Sequence, residues 1–282
     1  MKIVTSNKCW QYSYPGYNET AQRIQTTFEC LKVKNFEFVE PEKCSEGDIL
    51  AVHTQAMVEK VKTLAFSDPD IKPIPGIYEY ALLSAGAAIT ASEIALKGLP
   101  AFSLMRPPGH HATKSHSGGF CYFNNIAIAV KKLILSGTAP VAILDIDCHH
   151  GNGTQNIFLG KENILFVSLH QIPLYPGSGL TSEKNCLNFP LPPETGEEKY
   201  LKTLEIALKE IEKFKPAVIA VSAGFDTYIR DPLTQMNLET ATYEKIGKMI
   251  AALHTKRFAV LEGGYSRDLA ECVYNFLEGF RR

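Results

Sequence analysis

The stretch RPPGHHATKSHSGGFCYFNN, residues 106–125, places two adjacent histidines, His110 and His111, shortly before an aromatic cluster that begins at Phe120. A buried strand would not carry paired histidines, and a solvated loop would not carry several large aromatic rings. Neither a buried strand nor a solvated loop explains the combination, so the stretch is a candidate for part of an active site.

Other polar residues follow apolar runs that are predicted to be strands. Asp147 and His149 lie at the end of the run VAILDID, and their spacing of two would put both side chains on one face of an extended strand end. Asp226 follows the run AVIAVSA, and Tyr265 follows FAVLE after two glycines. Two carboxylates and one imidazole suit a borderline divalent cation such as zinc and leave a coordination position open, as a catalytic site requires.

Each of these residues alone has an ordinary structural explanation. An aspartate after a strand is usually a helix cap, a lone histidine is usually a hydrogen-bonded core residue, and EGGY is an ordinary turn. If all of these explanations held, four loops would bring His, Asp and Tyr to strand ends by coincidence. The joint pattern therefore favours a metal-dependent site.

Alternating strands and helices are predicted to position these residues. Helical patterns at 77–98 and 123–137 end in glycine, and the pattern at 197–214 has an apolar stripe. Nearly continuous apolar strands between such helices indicate one α/β domain with a parallel sheet covered on both faces, in which ligands gather at the carboxyl ends of the strands. The predicted strands are 2–5, 36–39, 101–104, 141–147, 164–169, 187–191, 217–223 and 258–262.

The composition is that of an ordinary globular chain. Its 282 residues are 45% hydrophobic and 21% charged, and the formal net charge of -1 gives no electrostatic basis for binding nucleic acid or a membrane surface. Seven cysteines without a C-x-x-C pair indicate free thiols in a reducing compartment. No run has the length of a membrane span or the pattern of a signal peptide, so we expect a cytoplasmic location.

Seven segments between about residues 106 and 265 form a recognisable series. They are, in order, RPPGHHA, GGFCYFNN, ILDIDCHHGNGTQNIF, VSLH, YPGSG, VSAGFD and LEGGY. Together they resemble the zinc-dependent histone deacetylase superfamily, which includes the bacterial histone deacetylase-like amidohydrolases and the acetylpolyamine amidohydrolases. Weaker similarity extends upstream and through the final helix. The resemblance implies an eight-stranded parallel sheet flanked by helices and a single catalytic domain over residues 1–282.

The resemblance also implies a role for each candidate residue. Asp147, His149 and Asp226 would bind a single zinc ion, which activates water and polarises an amide carbonyl. His111 would take the proton of the water and later protonate the leaving amine. Tyr265 would donate a hydrogen bond to the substrate carbonyl and to the oxyanion formed from it.

Supporting roles follow from the same resemblance. His110, paired with Asp145, would supply orientation and electrostatics. Asp145 and Ser168 would help to bind a structural potassium ion. Asn152 would contact His111 where some members carry Asp, and a neutral partner stabilises the imidazolium less than a carboxylate would.

The substrate is expected to be an acetylated amine. Gly119, Phe120 and Tyr175 would line a narrow tunnel that fits the methylenes of a lysine side chain. At the position where polyamine-hydrolysing members tend to carry an acid, this chain has Leu233. Asp70 aligns weakly with a rim acid that accepts peptide N–H groups. These residues favour acetyl-lysine in proteins or peptides, with acetylpolyamines or other small acetylated amines as the alternative.

Two further functions are weaker alternatives. Arginase-type ureohydrolases share the fold but need bridging carboxylates for a second metal, and here His150 follows His149 instead. A non-catalytic binder of acetylated ligands would lack a histidine, a metal ligand or the tyrosine, and none is missing. The segment PGYNETAQRI matches the family's HPE…R signature at Arg23 but not at its His and Pro, which leaves the contacts of the entrance loop open. The acyl length and the oligomeric state also stay open.

Overall fold

One eight-stranded sheet forms the centre of the protein, whose computed structural model describes residues 1–66 and 68–282. The strand order is β2-β1-β3-β8-β7-β4-β5-β6, and every neighbouring pair is parallel. All eight predicted strands are present, which confirms the single α/β fold. The strands are β1 Lys2–Val4, β2 Glu37–Val39, β3 Ala101–Ser103, β4 Val141–Asp145, β5 Ile164–Gln171, β6 Cys186–Leu191, β7 Val218–Ala223 and β8 Lys256–Leu261.

Helices connect the strands and cover the sheet. The predicted helices at 77–98 and 123–137 are confirmed, and each is followed by a glycine in the left-handed conformation, Gly98 at φ +86° and Gly137 at φ +87°. The α-helices of the described residues are α1 Ala21–Val33, α2 Glu46–Leu50, α3 Gln55–Thr63, α4 Ile77–Leu96, α5 Asn125–Leu135, α6 Asn152–Phe158, α7 Glu197–Phe214, α8 Thr240–Ala251 and α9 Leu269–Phe280.

The core lies on both faces of the central strands. Every residue of β4, β5 and β7 is buried, whereas the edge strand β2 is partly exposed. The alanine-rich helix α4 contacts β1, β3, β7 and β8, and α7 contacts β5 and β6. Because parallel strands are buried on both faces, their sequences are continuously apolar rather than alternating. Within the described residues, no helix combines the length and apolar character needed to cross a membrane.

Strand β4 ends two residues earlier than predicted. Its ladder stops at Asp145, and the N–H of Asp147 donates to Oδ1 of Asp145 at 3.1 Å. The N–H of His149 donates in turn to Oδ1 of Asp147 at 2.9 Å. The prediction that Asp147 and His149 share a face through strand periodicity is therefore wrong: a side-chain-bonded loop, not an extended strand, brings them together.

Candidate active site

Three side chains at the carboxyl ends of β4 and β7 form a compact metal-ligand cluster. One ligand atom from each of Asp147, His149 and Asp226 lies within 4.8 Å of the others. Nδ1 of His149 lies 2.7 Å from Oδ2 of Asp226 and 3.1 Å from Oδ1 of Asp147. The structure brings together the three residues that the sequence singled out as ligands.

The surroundings of the cluster are shaped around its carboxylates. The N–H of Gly263 donates to Asp147 at 2.7 Å, and the N–H of Cys148 donates to Asp226 at 2.8 Å. A Cβ at Gly263 would lie 2.5 Å from Oδ2 of Asp147 and 2.7 Å from Oδ2 of Asp226, so only glycine leaves room for both acids. Two oriented, buried carboxylates and one imidazole are a donor set that zinc accepts, and the residues fit such an ion.

The electrostatics of the cluster are consistent with a cation site. Burial opposes a charge on His149, but its hydrogen bonds to Asp147 and Asp226 outweigh burial and raise its pKa to about 10. A metal ligand must be a neutral imidazole, so a divalent cation would replace the proton that the acids attract.

His110 lines the cavity beside the cluster and is held by a carboxylate. Its Nδ1 lies 2.9 Å from Oδ2 of Asp145, and both side chains are buried. Burial disfavours the imidazolium, but the charges of Asp145 and Asp147 prevail and raise the pKa of His110 well above its usual range. The expected pairing of His110 with Asp145 is present.

The surroundings of His111 favour a neutral imidazole. Its Nδ1 lies 2.7 Å from Oδ1 of Asn152, so a proton on Nδ1 donates to the amide oxygen and Nε2 keeps a lone pair. Burial lowers the pKa of His111 well below its usual range, and the neighbouring His110 and His149 lower it further. The surroundings therefore favour a protonated His110 and a neutral His111.

Glu262, which the sequence analysis did not single out, fixes the backbone of the tandem histidines. Its Oε2 accepts the N–H of Gly109 at 2.7 Å and that of His110 at 3.1 Å, and its Oε1 accepts the hydroxyl of Ser222 at 3.1 Å. Glu262 is fully buried, and burial raises its pKa to about 7. The available signal was a carboxylate at the last position of the predicted strand 258–262, directly before two glycines.

Tyr265 follows β8 and lines the cavity next to the cluster. Its N–H donates to Oδ2 of Asp231 at 2.7 Å, and the guanidinium of Arg23 lies 4.7 Å from its ring centroid. Arg23 also donates to the carbonyl of Gly264 at 2.6 Å and to that of Glu262 at 2.7 Å. Burial raises the pKa of Tyr265 well above its usual range, so its hydroxyl keeps a proton to donate.

A buried ionic network joins the N-terminal segment to this wall. Glu19 accepts hydrogen bonds from Arg106 at 2.7 Å through both carboxylate oxygens and from Arg23 at 3.1 Å. Arg106 is completely buried and also donates to the carbonyls of Cys9 and Tyr12. The segment PGYNETAQRI departs from the family signature, but two of its residues still connect to the site. Arg23 packs against Tyr265, and Glu19 binds Arg23.

A tight turn projects Phe120 into the cavity. Gly118 and Cys121 pair through two backbone hydrogen bonds, and the two residues between them, Gly119 and Phe120, both have positive φ, +51° and +68°. A type I′ turn needs that geometry and favours Gly or Asn, so a phenylalanine is conformationally unfavourable there. Such strain is typical of residues that contact a ligand.

The cavity above the cluster has a volume of about 350 Å³. The ring centroid of Phe120 lies 5.5 Å from that of Tyr265, and the ring centroid of Tyr175 lies 5.0 Å from that of His111. The expected tunnel residues Gly119, Phe120 and Tyr175 and the expected mouth residues Leu233 and Asp70 all line it. Further lining residues are Gly16, Tyr17, Asn18, Lys72, His110, His111, Asp147, His149, Leu174 and Tyr265.

Ser168 lies behind the cluster rather than in the cavity. It is paired in register with Asp145 across β4 and β5, and its hydroxyl lies 2.9 Å from Nδ1 of His170. Oδ1 of Asp145 accepts the N–H of Asp147, and Oδ2 contacts His110. The structure therefore places Asp145 and Ser168 side by side, as the potassium prediction requires, with the side chains of both in hydrogen bonds.

Comparison with known proteins places this geometry in context. Residues 17–280 match the histone deacetylase domain family. A probable deacetylase of Archaeoglobus fulgidus is 40% identical over 277 residues, which cover 89% of this chain and 77% of that protein. Acetylpolyamine amidohydrolase 2 of Pseudomonas aeruginosa is 37% identical over 218 residues, which cover 73% of this chain and 63% of that protein.

A solved structure agrees over the same range. The crystal structure of an acetylpolyamine aminohydrolase from Burkholderia pseudomallei superposes with a TM-score of 0.91 at 27% identity, over 99% of this chain and 98% of that one. The family match covers nearly the whole chain, including the cluster, the tandem histidines and the tyrosine. The chain therefore belongs to the histone deacetylase family of amidohydrolases.

Proposed function

We propose that this protein is a zinc-dependent amidohydrolase, with its catalytic domain spanning residues 1–282, that removes the acetyl group from a linear primary amine. The observation that carries the proposal is the convergence on one cavity of the cluster Asp147, His149 and Asp226, the neutral base His111 and the protonated Tyr265. Amide hydrolysis needs an activated water, a proton carrier and a donor for the oxyanion, and these groups supply all three.

The metal and the histidines have different roles in the proposed mechanism. Zinc, when bound, supplies Lewis acidity to water and to the acetamide carbonyl. His111 takes a proton at Nε2, while Asn152 holds the proton on Nδ1 and keeps the ring oriented. Nε2 of His111 then returns the proton to the leaving amine. His110 stays charged through Asp145 and holds His111 in its neutral form.

Tyr265 completes the site on the carbonyl side. Its hydroxyl donates to the acetamide oxygen, and the bond strengthens as that oxygen gains negative charge. Arg23 lies against the ring and binds the backbone on either side of Gly263, so the tyrosine does not need to reorganise during the reaction.

Two classes of amine are consistent with the cavity. The names of relatives such as the acetylpolyamine amidohydrolases of Pseudomonas aeruginosa support a small acetylated polyamine, and Asp70 at the mouth offers a charge to a distal ammonium. The uncharged Leu233 and the slot between Phe120 and Tyr175 support an acetyl-lysine side chain, whose methylenes gain about 0.8 kcal/mol each on burial. We propose a small acetylated amine as the main substrate class and acetyl-lysine in peptides as the second.

Two further expectations remain proposals. A potassium ion would be held near Asp145 and Ser168, where hydroxyl, carboxylate and carbonyl oxygens suit a hard cation. A reducing, cytoplasmic location is supported by the cysteines of the described residues, which are all free thiols.

Metal content and turnover test the proposal together. The purified protein should contain zinc at an equimolar ratio and hydrolyse acetyl-lysine peptides, acetylputrescine or acetylspermidine. The Asp226→Ala variant should lose most of the zinc and all turnover, while Asp268→Ala, outside the cavity, should keep both. Full zinc occupancy in Asp226→Ala, or two metals per chain in the wild type, would contradict the assignment.

A further inference from the structure

The mouth of the cavity is a loop whose backbone is fixed by two tyrosines. The hydroxyl of Tyr17 donates to the carbonyl of Asp70 at 2.8 Å, and the hydroxyl of Tyr122 donates to the carbonyl of Lys72 at 2.6 Å. Both tyrosines are buried, with 7% and 1% of their surface exposed. The ring of Tyr17 also packs edge-on against Phe120 at 4.9 Å, so the mouth is attached to the tunnel wall.

The mouth carries two opposite charges that do not neutralise each other. The Asp70 carboxylate and the Lys72 ammonium both line the cavity. Within residues 1–66 and 68–282, neither forms an ion pair with another side chain. The Lys72 ammonium donates to the carbonyl of Pro69 at 2.5 Å and lies 6.0 Å from the ring centroid of Tyr17, which leaves its charge available to an anion.

The remaining outer lining has no charge. It consists of Gly16, Tyr17, Asn18, Leu174 and Leu233. Among the lining residues, a ligand that extends from the metal cluster past Phe120 therefore meets one acid, Asp70, and one base, Lys72. A volume of about 350 Å³ is close to the lower limit for small-molecule sites, which suits a substrate of amino-acid size.

We propose that the mouth binds the α-amino acid end of a free ω-acetamido amino acid, of the Nε-acetyl-lysine class. Its carboxylate pairs with Lys72 and its α-ammonium with Asp70, while the acetamide reaches the metal cluster. This inference rests on the proposed deacetylase function and narrows its substrate. An acetylpolyamine has no carboxylate for Lys72, and within a peptide both α-groups are neutral amides.

Three substrates with the same acetamidoalkyl chain separate these possibilities. Free Nε-acetyl-lysine carries both charges, N-acetylcadaverine lacks the carboxylate, and an acetyl-lysine capped at both ends lacks both. For the zinc-loaded wild type, kcat/KM should be about tenfold or more higher for free acetyl-lysine than for the other two, as is usual for a charge-assisted hydrogen bond.

Variants assign the preference to individual residues. Lys72→Met should reduce the ratio of kcat/KM for acetyl-lysine over acetylcadaverine to about one. Asp70→Asn should lower kcat/KM for both compounds, because both carry the distal ammonium. Lys199→Met on α7 is a matched control that should leave the ratio unchanged. A wild type that prefers acetylcadaverine or the capped compound, or a Lys72→Met variant with an unchanged ratio, would overturn the inference. If no acetylated amine is hydrolysed, the proposed function itself fails.

Discussion

The carboxylate of Glu262 binds the backbone of His110, and this contact joins the end of β8 to the tandem histidines. One oxygen accepts two successive N–H groups, those of Gly109 and His110. Successive N–H groups form a concave site for an anion, and here that anion is a buried side chain. The position of the tandem histidines therefore depends on a residue at the end of a strand that is distant in sequence.

Glu262→Ala should lower kcat by about 100-fold with little change in KM, because a small displacement of a catalytic group is enough for such a loss. Glu262→Gln should stay within about tenfold of wild type, since its amide oxygen can accept both N–H groups and its NH₂ can donate to Ser222. Steady-state kinetics on one acetylated amine, with zinc content measured in parallel, checks both. Wild-type kcat in the alanine variant, or an equal loss in both variants, would refute positioning by hydrogen bonding.

Removal of the Tyr265 hydroxyl should affect turnover but not the metal. Tyr265→Phe should reduce kcat by about 100-fold, the usual loss of one oxyanion donor, and should retain zinc. Tyr274→Phe on α9, remote from the cavity, is the control and should behave as wild type. Undiminished turnover in Tyr265→Phe would remove the carbonyl donor from the mechanism.

Asn152 contacts the imidazole of His111, and the charge of this side chain can be changed without altering its shape. Asn152→Asp should raise the pKa of His111, because a carboxylate at 2.7 Å stabilises the imidazolium. The base acts only when neutral, so the acidic limb of kcat/KM should move to higher pH by about one unit or more. Asn156→Asp, on the exposed side of α6, introduces the same charge without contacting His111 and should leave the profile in place.

His53 makes stability depend on pH. It accepts the N–H of Asn124 at 2.9 Å, and burial lowers its pKa from 6.5 to about 4. Above pH 6.5 the ring is neutral in both folded and unfolded chains, and its contribution is fully present. As the pH falls towards 4, only the unfolded chain gains the proton, so the free energy of unfolding should fall by about 2 kcal/mol between pH 7 and 5. Urea denaturation of wild type and His53→Gln should show a smaller fall in the variant.

The sequence was most informative where one physical rule determines the structure. Short apolar runs predicted every strand, and the runs of β4, β5 and β7 are nearly continuous because these strands are buried on both faces. The cluster of candidate ligands and the tandem histidines could also be predicted from the sequence, because few positions in the chain place aspartate or histidine next to the end of an apolar strand. The predicted end of β4 was wrong by two residues. The N–H of Asp147 bonds to the side chain of Asp145 instead of to a neighbouring strand, and a pattern of apolar residues cannot show such a bond.

The contacts that some residues make with distant parts of the chain could not be predicted from the sequence. Glu262, Arg23 and Glu19 owe their roles to partners more than 80 positions away in the chain. Lys72 carries an ordinary charge in a polar loop, and only the fold shows that this loop borders the cavity. Local periodicity has no information on such pairings.

The loop that borders the cavity precedes α4, whereas the proposed metal ligands follow β4 and β7 in the middle of the sheet. The residues proposed to select the substrate at the mouth and those proposed to bind the metal therefore lie in separate parts of the chain. Exchanging residues 68–75 for a related loop would alter which amines are accepted without disturbing a bond to the metal ligands. Evolution can diversify the substrates of such a scaffold through short insertions and point changes, and directed evolution could follow the same route.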